Sequence, residues 1–331
     1  MNSKGTLLLN RSEIASLLGV EECIGAVEQA FRLHGEGKTV PPGILGVYAQ
    51  DGGFHIKAGM LQLGRSYFAA KVNANFPQNA KRFALPLIQG IIVLCDGENG
   101  YPLALMDSME ITIIRTGAAT GLAAKYLART DAKVATICGC GNQGRISLKA
   151  LAHVRCLSLA YAFDIDEERA RRFAKELSKE TGIEVIAIRD LAKAVKESDV
   201  CVTCTPAKRY FLNREFVSSG TFIAAVGADN EEKQELDPAL MVSNKVIADS
   251  LEQCAAIGEL HHAIEQGLVT KAEAHAELAE VITGKKVGRA SDDEIIIFDS
   301  TGTALQDVAA AAIVYERAMS AGMGIRLNLG E

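Results

Sequence analysis

The spacing of apolar positions divides the chain into two parts with different predicted folds. From Lys133 onward, short β-branched apolar runs alternate with amphipathic helical stretches such as Asp166–Glu180. The strand candidates are Val134–Cys138, Leu157–Phe163, Glu184–Ile188, Val200–Thr205, Thr221–Val226, Lys245–Ala248 and Ile295–Phe298. This alternation is typical of a parallel sheet with crossover helices, and it predicts a doubly wound α/β domain over residues 126–303.

The N-terminal part of the chain has a mixed pattern instead. The predicted elements are a helix near Val20–Gly35, a meander of short strands over residues 46–94, a long helix from Asp107 to about Ala128 and a last helix near Gln306–Met319. Asp107 and Glu110 have the spacing of a capping box at the start of the long helix. We therefore predict an α+β domain formed by residues 1–125 and joined by residues 304–331.

Length and charge narrow the class of protein. At 331 residues the chain is long enough for two domains, since single hydrophobic cores stop growing near ~250–300 residues. Its 35 basic and 41 acidic residues give a net charge of −6, without a Lys/Arg block that would follow a phosphate backbone. No apolar run approaches the ~18 residues of a membrane span, and Leu7–Leu9 is too short for a secretory signal. We expect a cytoplasmic protein that binds neither nucleic acid nor membrane.

The cysteine and histidine spacings predict no disulfide framework and no metal site. The eight cysteines lie mostly in apolar runs. Cys201 and Cys204 form a C-x-x-C sequence in a strand-like run, which favours buried structural thiols over a redox pair at a helix start. His261 and His262 lie in a helix predicted over Leu251–Gln266, without a carboxylate or cysteine spaced to complete a metal site.

A glycine-rich segment follows the first strand of the doubly wound region. Gly139-Cys140-Gly141-Asn142-Gln143-Gly144 has the form G-x-G-x-x-G, between an apolar strand and a helical run. Gly139 permits the turn, Gly141 lets the backbone approach a pyrophosphate, and Gly144 lets helix and strand pack closely. The N–H groups at the helix start bind the anion. This context predicts a Rossmann dinucleotide site in preference to a simple tight turn.

The residue after the second strand selects the dinucleotide. Asp164 follows Phe163 at the end of that strand, about twenty residues after the last glycine of the loop. A carboxylate there accepts hydrogen bonds from both ribose hydroxyls and repels a 2′-phosphate. Arg169, one helical turn on, is the counter-argument, because it could swing toward a phosphate. We predict NAD(H) as the cofactor, with NADP(H) disfavoured.

Six strings of residues resemble those of a known family. They are Tyr67–Asn73 followed by Pro77, Asp96 with Gly100–Leu103, Ile113–Thr120, Gly139–Gly144, Ala225–Asp229 and Phe298–Gly302. In this order they resemble the ornithine cyclodeaminase/μ-crystallin family over nearly the whole chain. The resemblance implies a homodimer in which the N-terminal region and the C-terminal helix bind substrate and form the interface, while the middle of the chain binds the coenzyme.

The reactions of this family imply what the site must do. All pass through a C=N bond at the α-carbon of a carboxylate: cyclodeamination of ornithine or lysine, dehydrogenation of alanine, and reduction of cyclic ketimines or pyrroline-2-carboxylate. Such a site must bind the substrate carboxylate through cations and place the α-carbon next to the nicotinamide. It must also transfer a proton to or from the substrate nitrogen.

The resemblance assigns three residues to that chemistry. Lys71 and Arg115 match the family's carboxylate-binding cations, with Arg115 as a bidentate fork and Lys71 as a point charge. Asp229 matches the catalytic carboxylate that handles the substrate nitrogen and its proton, and Lys71 is the second catalytic candidate. Without the family match, the two cations are interpreted as surface or ion-pair residues, and the alternative for Asp229 is a cap of a helix from Glu231.

One departure from the family's pattern affects the carboxylate site. Many relatives have an arginine just after a Pro-Pro pair, whereas this chain has Pro41-Pro42-Gly43. Lys57, on a neighbouring predicted strand, is a candidate replacement. Gln89 is a further candidate for a residue that faces the substrate.

The resemblance and the glycine-rich segment together predict the coenzyme contacts. The predicted residues are Thr116, Gly139, Gly141, Asn142, Gln143, Gly144, Asp164, Thr205, Val226, Gly227, Asp229, Ser300, Thr301 and Gly302. Asp229 belongs to both the catalytic and the coenzyme sets, since it follows an apolar strand at the sheet edge where doubly wound folds bind ligands.

The favoured function is NADH-dependent reduction of an imine of the Δ1-pyrroline-2-carboxylate type to L-proline. Cyclodeamination needs a flexible diamino acid to fold back, which demands tight fixing of the carboxylate and a pocket for a second ammonium. A cyclic imine needs neither, so glycine at position 43 favours it. The alternatives are ornithine cyclodeamination, alanine-type dehydrogenation, and non-catalytic ligand binding like that of the lens μ-crystallins.

Overall fold

The computed structural model describes residues 5–329, which form two compact units. The first unit contains the chain up to Arg115 and again from Thr303, and the second contains Thr116–Gly302. One boundary falls inside the helix α4, Ser108–Leu127, which therefore contributes residues to both units. The predicted boundary lay near the end of that helix, because a sequence pattern marks where elements end and not where contacts change.

The first unit is built on a seven-stranded, mostly antiparallel sheet. Numbered in chain order, its strands are β1 Thr6–Leu9, β2 Gly43–Ala49, β3 Gly52–Leu63, β4 Arg65–Asn75, β5 Ile88–Asp96, β6 Pro102–Asp107 and β17 Ile325–Leu327, in the spatial order β17-β1-β6-β5-β4-β3-β2. Its other helices are α1 Arg11–Leu17, α2 Val20–Gly35, α3 Asn79–Arg82 and α12 Ala304–Ala321. The helix at Val20–Gly35 is confirmed, whereas the meander has longer strands than predicted.

One face of this sheet packs on α12. A Cβ at Gly59 of β3 would lie 3.2 Å from the Cβ of Ala304, so the helix approaches the strand closely. Ala69 lies opposite Gly59 in the register, Leu94 lies opposite Ala69, and both are buried. The alanine-rich sequence of α12 permits this approach, because small side chains let a helix lie near a sheet. We call this the inner face.

The other face of the same sheet is apolar and exposed. Leu45 and Val47 of β2 are 55% and 48% exposed, and Ile91 of β5 is 50% exposed. The register places these residues with Phe54 on the side away from α12. Contiguous exposed apolar surface marks an interaction site, so this outer face is a candidate interface.

The second unit contains a parallel, eight-stranded sheet in the order β15-β14-β16-β12-β10-β7-β8-β9. Its strands are β7 Val134–Cys138, β8 Leu159–Phe163, β9 Glu184–Ala187, β10 Val200–Thr203, β12 Phe222–Ala225, β14 Lys245–Ala248, β15 Ala276–Glu277 and β16 Ile296–Asp299, with β11 Lys208–Leu212 and β13 Gln234–Leu236 as a separate pair. Its helices after α4 are α5 Asn142–Val154, α6 Glu167–Thr181, α7 Leu191–Lys196, α8 Ala239–Ser243, α9 Leu251–Ile257, α10 Glu259–Glu265 and α11 Leu278–Ile282. The doubly wound fold and all seven predicted strands are confirmed.

The helix predicted over Leu251–Gln266 is wrong as a single element, since α9 and α10 are separated at Gly258. The carboxylate of Asp299 accepts hydrogen bonds from the backbone N–H groups of Glu259 and Leu260, at 3.2 and 2.9 Å. Those contacts start a new helix at Glu259. Gly258 is the C-cap of α9 and the N-cap of α10, and a carboxylate distant in sequence binds the N–H groups at the start of the second helix.

Between residues 5 and 329, no helix combines the length and the apolar character that crossing a bilayer would need.

Candidate active site

The glycine-rich segment joins β7 to α5 in a tight turn. Gly139 has φ +105°, a conformation that glycine adopts readily. A Cβ at Gly144 would lie 2.1 Å from the carbonyl oxygen of Gly139, whereas a Cβ at Gly141 would meet nothing within 4 Å. Gly141 is the N-cap of α5 and has no side chain to occupy the first-turn N–H groups. The turn therefore offers open backbone and free helix N–H groups, which fits a dinucleotide pyrophosphate.

This turn lies where the strand order reverses, since β7 pairs with β8 on one side and with β10 on the other. Because the strands are parallel, the residues that follow them lie along one edge of the sheet. The structure brings to this edge the predicted coenzyme residues Gly139, Gly141, Asn142, Gln143, Gly144, Asp164, Thr205, Val226, Gly227, Asp229, Ser300, Thr301 and Gly302.

Thr116 comes from helix α4 instead. It is buried and precedes Gly117, where a Cβ would lie 2.6 Å from the side chain of Ile146 in α5. The small residues of α4 therefore allow α5, the helix that follows the glycine-rich turn, to pack closely against it.

Asp164 is held at the end of β8 by backbone hydrogen bonds. Its carboxylate accepts from the N–H groups of Cys140 and Asp166, each at 2.9 Å. The guanidinium of Arg169 lies 3.8 Å away and is also 3.8 Å from Asp166. A carboxylate has about four acceptor sites, so Asp164 retains capacity for two ribose hydroxyls.

A buried carboxylate that the sequence interpretation missed holds the loop after β16. Asp249 accepts hydrogen bonds from the Ser300 hydroxyl at 2.8 Å and from the backbone N–H of Gly302 at 2.6 Å. The N–H of Thr301 donates to the same carboxylate at 3.3 Å. The signal available in the sequence was an acidic residue directly after the apolar strand β14.

In the first unit, Lys71 of β4 and Arg115 of α4 share the carboxylate of Asp307 from α12. The Lys71 Nζ lies 2.7 Å from Asp307 Oδ2 and 2.8 Å from Oδ1. The Arg115 Nε lies 3.0 Å from Asp307 Oδ1, and its Nη1 donates to Gln306 Oε1 at 2.8 Å. All four residues are buried. The structure thus brings the two predicted cations together on the inner face.

Asp307 and Gln306 were not predicted as site residues. They lie in the helix predicted near Gln306–Met319, within the otherwise apolar run Ala304–Ala312. A charged residue is almost never fully buried without a partner. A lone carboxylate in an apolar helix was therefore a usable signal for a buried cation nearby.

Lys57 joins the same cluster, since it lies directly opposite Lys71 in the register of β3 and β4 and is buried. Burial, together with the charges of Arg115 and Lys57, lowers the pKa of Lys71 to about 7, although Asp307 acts in the opposite direction. Burial raises the pKa of Asp307, but the charges of Lys71 and Arg115 outweigh it and hold that pKa below its ordinary value. Three basic side chains therefore surround one ionised carboxylate, an arrangement that attracts a further anion.

Gln89 does not share this face. It lies opposite Ala74 on β4, and neighbouring positions of a strand alternate between faces, so Gln89 belongs to the outer face. Gly43 lies opposite Ala58, which also places it on the outer face, whereas Ile44 lies opposite Lys57. Gln89 therefore lies on the face opposite Lys71 and does not join the cation cluster, and a side chain at position 43 would lie on that outer face as well.

Asp229 follows β12 in an exposed turn. Its carboxylate lies 2.7 Å from the Lys233 Nζ and accepts from the Asn230 amide at 3.3 Å. No helix begins at Glu231, because the chain turns and enters β13. The helix-cap interpretation of Asp229 is therefore wrong.

His261 and His262 have a carboxylate neighbour that was not anticipated. Glu265, one helical turn on in α10, brings its carboxylate within 3.8 Å of His261 Nε2, so the three side chains form a group of metal-binding types. His262 Nε2 is engaged at 2.7 Å with the backbone carbonyl oxygen of Lys233. The statement that no carboxylate is suitably spaced is wrong, because i and i+4 residues lie on the same helix face.

The C-x-x-C sequence is structural. Cys201 is buried within β10, and burial raises the pKa of the Cys204 thiol well above its ordinary value. A thiol with a raised pKa is a poor nucleophile. Burial likewise raises the pKa of Cys140, in the glycine-rich turn, to about 12.

These two units define a protein that combines a doubly wound dinucleotide-binding unit with a sheet unit carrying a buried cluster of cations. The model of the ornithine cyclodeaminase/mu-crystallin family matches residues 4–322, and this chain belongs to that family.

Relatives cover nearly the full length of the chain. The alanine dehydrogenase of Archaeoglobus fulgidus is 39% identical over 323 residues, which are 98% of each chain. An archaeal alanine dehydrogenase, solved as a dimer with bound NAD, has a TM-score of 0.92 at 38% identity and covers 98% of this chain and 99% of its own. The Δ1-pyrroline-2-carboxylate reductase of Thermococcus litoralis, solved with NADH and L-proline, has a TM-score of 0.92 at 35% identity and covers 97% and 100%.

Proposed function

We propose that this protein is an NAD(H)-dependent imine reductase that converts Δ1-pyrroline-2-carboxylate, NADH and a proton to L-proline and NAD⁺. The observation that carries the proposal is the buried cluster in which Lys57, Lys71 and Arg115 surround the carboxylate of Asp307. Excess positive charge in a buried site favours a substrate carboxylate. The relatives that act on alanine and on Δ1-pyrroline-2-carboxylate support the same class of substrate.

Each residue has a role in this proposal. Arg115, oriented by Gln306, and Lys71 bind the substrate carboxylate and orient the α-carbon, while Lys57 adds positive charge. Asp229 exchanges the proton at the substrate nitrogen. Bound NADH supplies the hydride for the α-carbon. The burial of the cluster keeps water from competing for the cations.

The coenzyme contacts follow from the strand-end edge of the second unit. The proposed contacts are the pyrophosphate at Gly139, Gly141, Asn142, Gln143 and Gly144, the adenosine ribose at Asp164, and the remaining half of the coenzyme at Thr116, Thr205, Val226, Gly227, Asp229, Ser300, Thr301 and Gly302. The open backbone at Gly141 and the spare acceptor sites of Asp164 support this assignment.

Replacing Asp164 with serine is expected to shift coenzyme preference toward NADP(H). The substitution removes a charge that repels a 2′-phosphate and releases Arg169 to bind it. A charge pair at ~4 Å is worth about 1 to 4 kcal/mol, so the change in relative kcat/KM for NADPH and NADH should be roughly tenfold to a thousandfold.

The matched control is Asp166→Ser, which removes the other carboxylate near Arg169. It should leave the preference nearly unchanged. An Asp164→Ser enzyme that keeps the wild-type preference would remove Asp164 from the ribose site.

The substrate assignment predicts rapid NADH oxidation with Δ1-pyrroline-2-carboxylate and little ammonia from L-ornithine with NAD. Cyclodeamination requires an acceptor for the distal ammonium of ornithine. Asp307 is already shared by Lys71 and Arg115, so it is not available for that role. The measurements are absorbance of the reduced nicotinamide for the imine and an ammonia assay for ornithine. Fast proline formation from ornithine, without activity on the imine, would establish the cyclodeaminase instead.

Alanine-type dehydrogenation is the second candidate, because the Archaeoglobus fulgidus relative at 39% identity is an alanine dehydrogenase. The same absorbance assay with pyruvate and ammonia separates the two reactions. A higher kcat/KM for pyruvate than for the cyclic imine would favour the dehydrogenase. NADH binding without turnover of any of these substrates would favour a non-catalytic binding protein.

We propose a homodimer that uses the outer face of the first unit. Its apolar residues Leu45, Val47, Phe54 and Ile91 are exposed, and a partner subunit would remove them from water. The dimeric archaeal alanine dehydrogenase supports the assembly. We also propose a cytoplasmic location, since all eight cysteines are unpaired, as is usual in a reducing compartment.

A further inference from the structure

The carboxylate of Glu235 connects two strand ends of the second unit. Its Oε1 accepts hydrogen bonds from the backbone N–H and the hydroxyl of Thr205, at 2.6 and 2.7 Å. Its Oε2 accepts from the backbone N–H of Gly227 at 3.0 Å. Thr205 follows β10 and Gly227 follows the adjacent strand β12. One fully buried side chain therefore holds two neighbouring loops of the coenzyme edge.

Gly227 has the shape that this contact requires. A Cβ at that position would lie 2.3 Å from Glu235 Oε2 and 2.6 Å from the Thr205 carbonyl oxygen. The missing side chain is therefore the space that the carboxylate occupies. Gly227 belongs to a family motif and was predicted only as a coenzyme contact. The structure shows that it also donates a hydrogen bond to Glu235.

Glu235 is itself held by a series of buried carboxylates. Glu259 accepts from the backbone N–H groups of Glu235 and Leu236, at 2.8 and 3.1 Å. Asp299 accepts in turn from the backbone N–H of Glu259. The backbone of Glu235 is thus positioned from α10, and α10 is positioned from the end of β16.

Burial of these three carboxylates in their charged form destabilises the folded state. Burial raises the pKa of Glu235 to about 6 and that of Asp299 to about 7, and burial with the Glu235 charge raises the pKa of Glu259 well above its ordinary value. Buried like charges destabilise a protein unless hydrogen bonds compensate. The compensation comes from backbone N–H groups, so the series ties backbone segments together at the coenzyme edge.

The position of these loops indicates which half of the coenzyme they serve. In the proposed coenzyme site, the adenosine ribose binds at Asp164 after β8, and the pyrophosphate binds at the turn after β7. The other half of the dinucleotide must extend in the opposite direction along the edge, across β10 and β12. Thr205 and Gly227 are the residues that follow these strands.

We propose that Glu235 is a positioning residue that fixes the Thr205 and Gly227 loops relative to each other for the nicotinamide half of the coenzyme. The inference rests on the proposed coenzyme site. Glu235 is assigned no contact with the coenzyme, because its two oxygens accept hydrogen bonds from the two loops themselves. Its effect should appear in NADH binding and be absent from the binding of AMP, which contains only the adenosine half.

The test compares Glu235→Gln with wild type by titration with NADH and with AMP. Glutamine has one acceptor oxygen, so its amide group must face one of the N–H donors, and one loop is released. We expect the Kd for NADH to rise about tenfold, which corresponds to ~1.4 kcal/mol. The Kd for AMP should stay within about twofold of the wild-type value. Glu235→Asp, which keeps the charge on a shorter side chain, should show a smaller change in the same direction.

Ser198→Ala is the matched control for general loss of stability. Ser198 is buried in the same unit and bonds to Thr136 at 2.7 Å, before β10 begins and therefore at the opposite edge of the sheet. It should lower Tm without changing the ratio of the two Kd values. If Glu235→Gln does not fold, the Kd values for NADH and AMP are compared between Glu235→Asp and wild type instead.

The outcomes separate the inference from the proposed function. Wild-type protein that binds neither NADH nor AMP contradicts the proposed function. Wild-type protein that binds both, with equal weakening of NADH and AMP in the Glu235 variants, shows a general structural role and overturns the inference. Unchanged NADH binding in those variants overturns it as well.

Discussion

Replacement of Lys71 with alanine is expected to lower kcat/KM for Δ1-pyrroline-2-carboxylate by roughly thirtyfold to a thousandfold, equivalent to about 2–4 kcal/mol. The substitution removes a buried positive charge from the carboxylate site and leaves Asp307 with Arg115. The affinity for NADH should stay nearly constant, because Lys71 belongs to the first unit and the glycine-rich turn to the second. Steady-state kinetics and an NADH titration measure the two effects.

Lys71→Arg is the matched control, since it keeps the charge at every pH of interest. Burial, with the charges of Arg115 and Lys57, lowers the pKa of Lys71 to about 7. The charged form binds a carboxylate, so this group should make kcat/KM fall as pH rises through about 7 in wild type. The arginine variant should lose that part of the pH dependence, because its guanidinium stays protonated.

The same lowered pKa affects stability with a definite sign. The unfolded chain keeps the lysine proton up to its ordinary pKa of 10.5, whereas the folded chain releases it near 7. The unfolded state therefore binds more protons in this window, and the Lys71 contribution makes the free energy of unfolding rise with pH between about 7 and 10.5.

Normal kcat/KM in Lys71→Ala would remove Lys71 from the carboxylate site.

Replacement of Asp229 with asparagine is expected to lower kcat about a hundredfold or more, with NADH still bound. Asparagine keeps the shape of the side chain but does not exchange a proton at physiological pH. Asp229 is exposed and paired with Lys233 at 2.7 Å, so its substitution should cost little stability. Single-turnover oxidation of NADH and an NADH titration separate the rate effect from binding.

Lys233→Met provides the control for the ion pair. It leaves the Asp229 carboxylate in place and removes its partner, so kcat should fall much less than in Asp229→Asn. Equal losses in the two variants would assign the effect to the ion pair and not to proton transfer. Full activity in Asp229→Asn would mean that another group handles the proton.

The glycine-rich turn could be predicted from the sequence because its geometry is local. The turn Gly139–Gly144 depends on a strand, three glycines and a helix start that are adjacent in the chain, and β7 and the helix at Val20–Gly35 have the predicted bounds. Asp164 could be placed for the same reason, since it follows the next strand. Apolar periodicity likewise determined the doubly wound fold, because each strand and crossover helix has its own pattern.

Only part of the cation cluster could be predicted from the sequence. Lys71 and Arg115 were assigned through resemblance, but their shared carboxylate comes from Asp307, separated from Lys71 by 236 positions. The face on which Gln89 lies could not be predicted, because the sequence shows alternation along a strand but not the register between strands. A shift of one residue reverses the face of every side chain, so only the paired sheet decides it.

The buried carboxylates show what belongs to tertiary structure alone. Asp299 binds the start of α10, and Glu235 ties the loops after β10 and β12, through hydrogen bonds to backbone N–H groups far away in the chain. The sequence by itself determined the elements, the fold of the second unit and the coenzyme turn, because those depend on neighbouring residues. The tertiary structure decided which charges are buried together and which loops they hold, because a carboxylate in an apolar interior takes whichever donors the folded chain brings within about 3 Å.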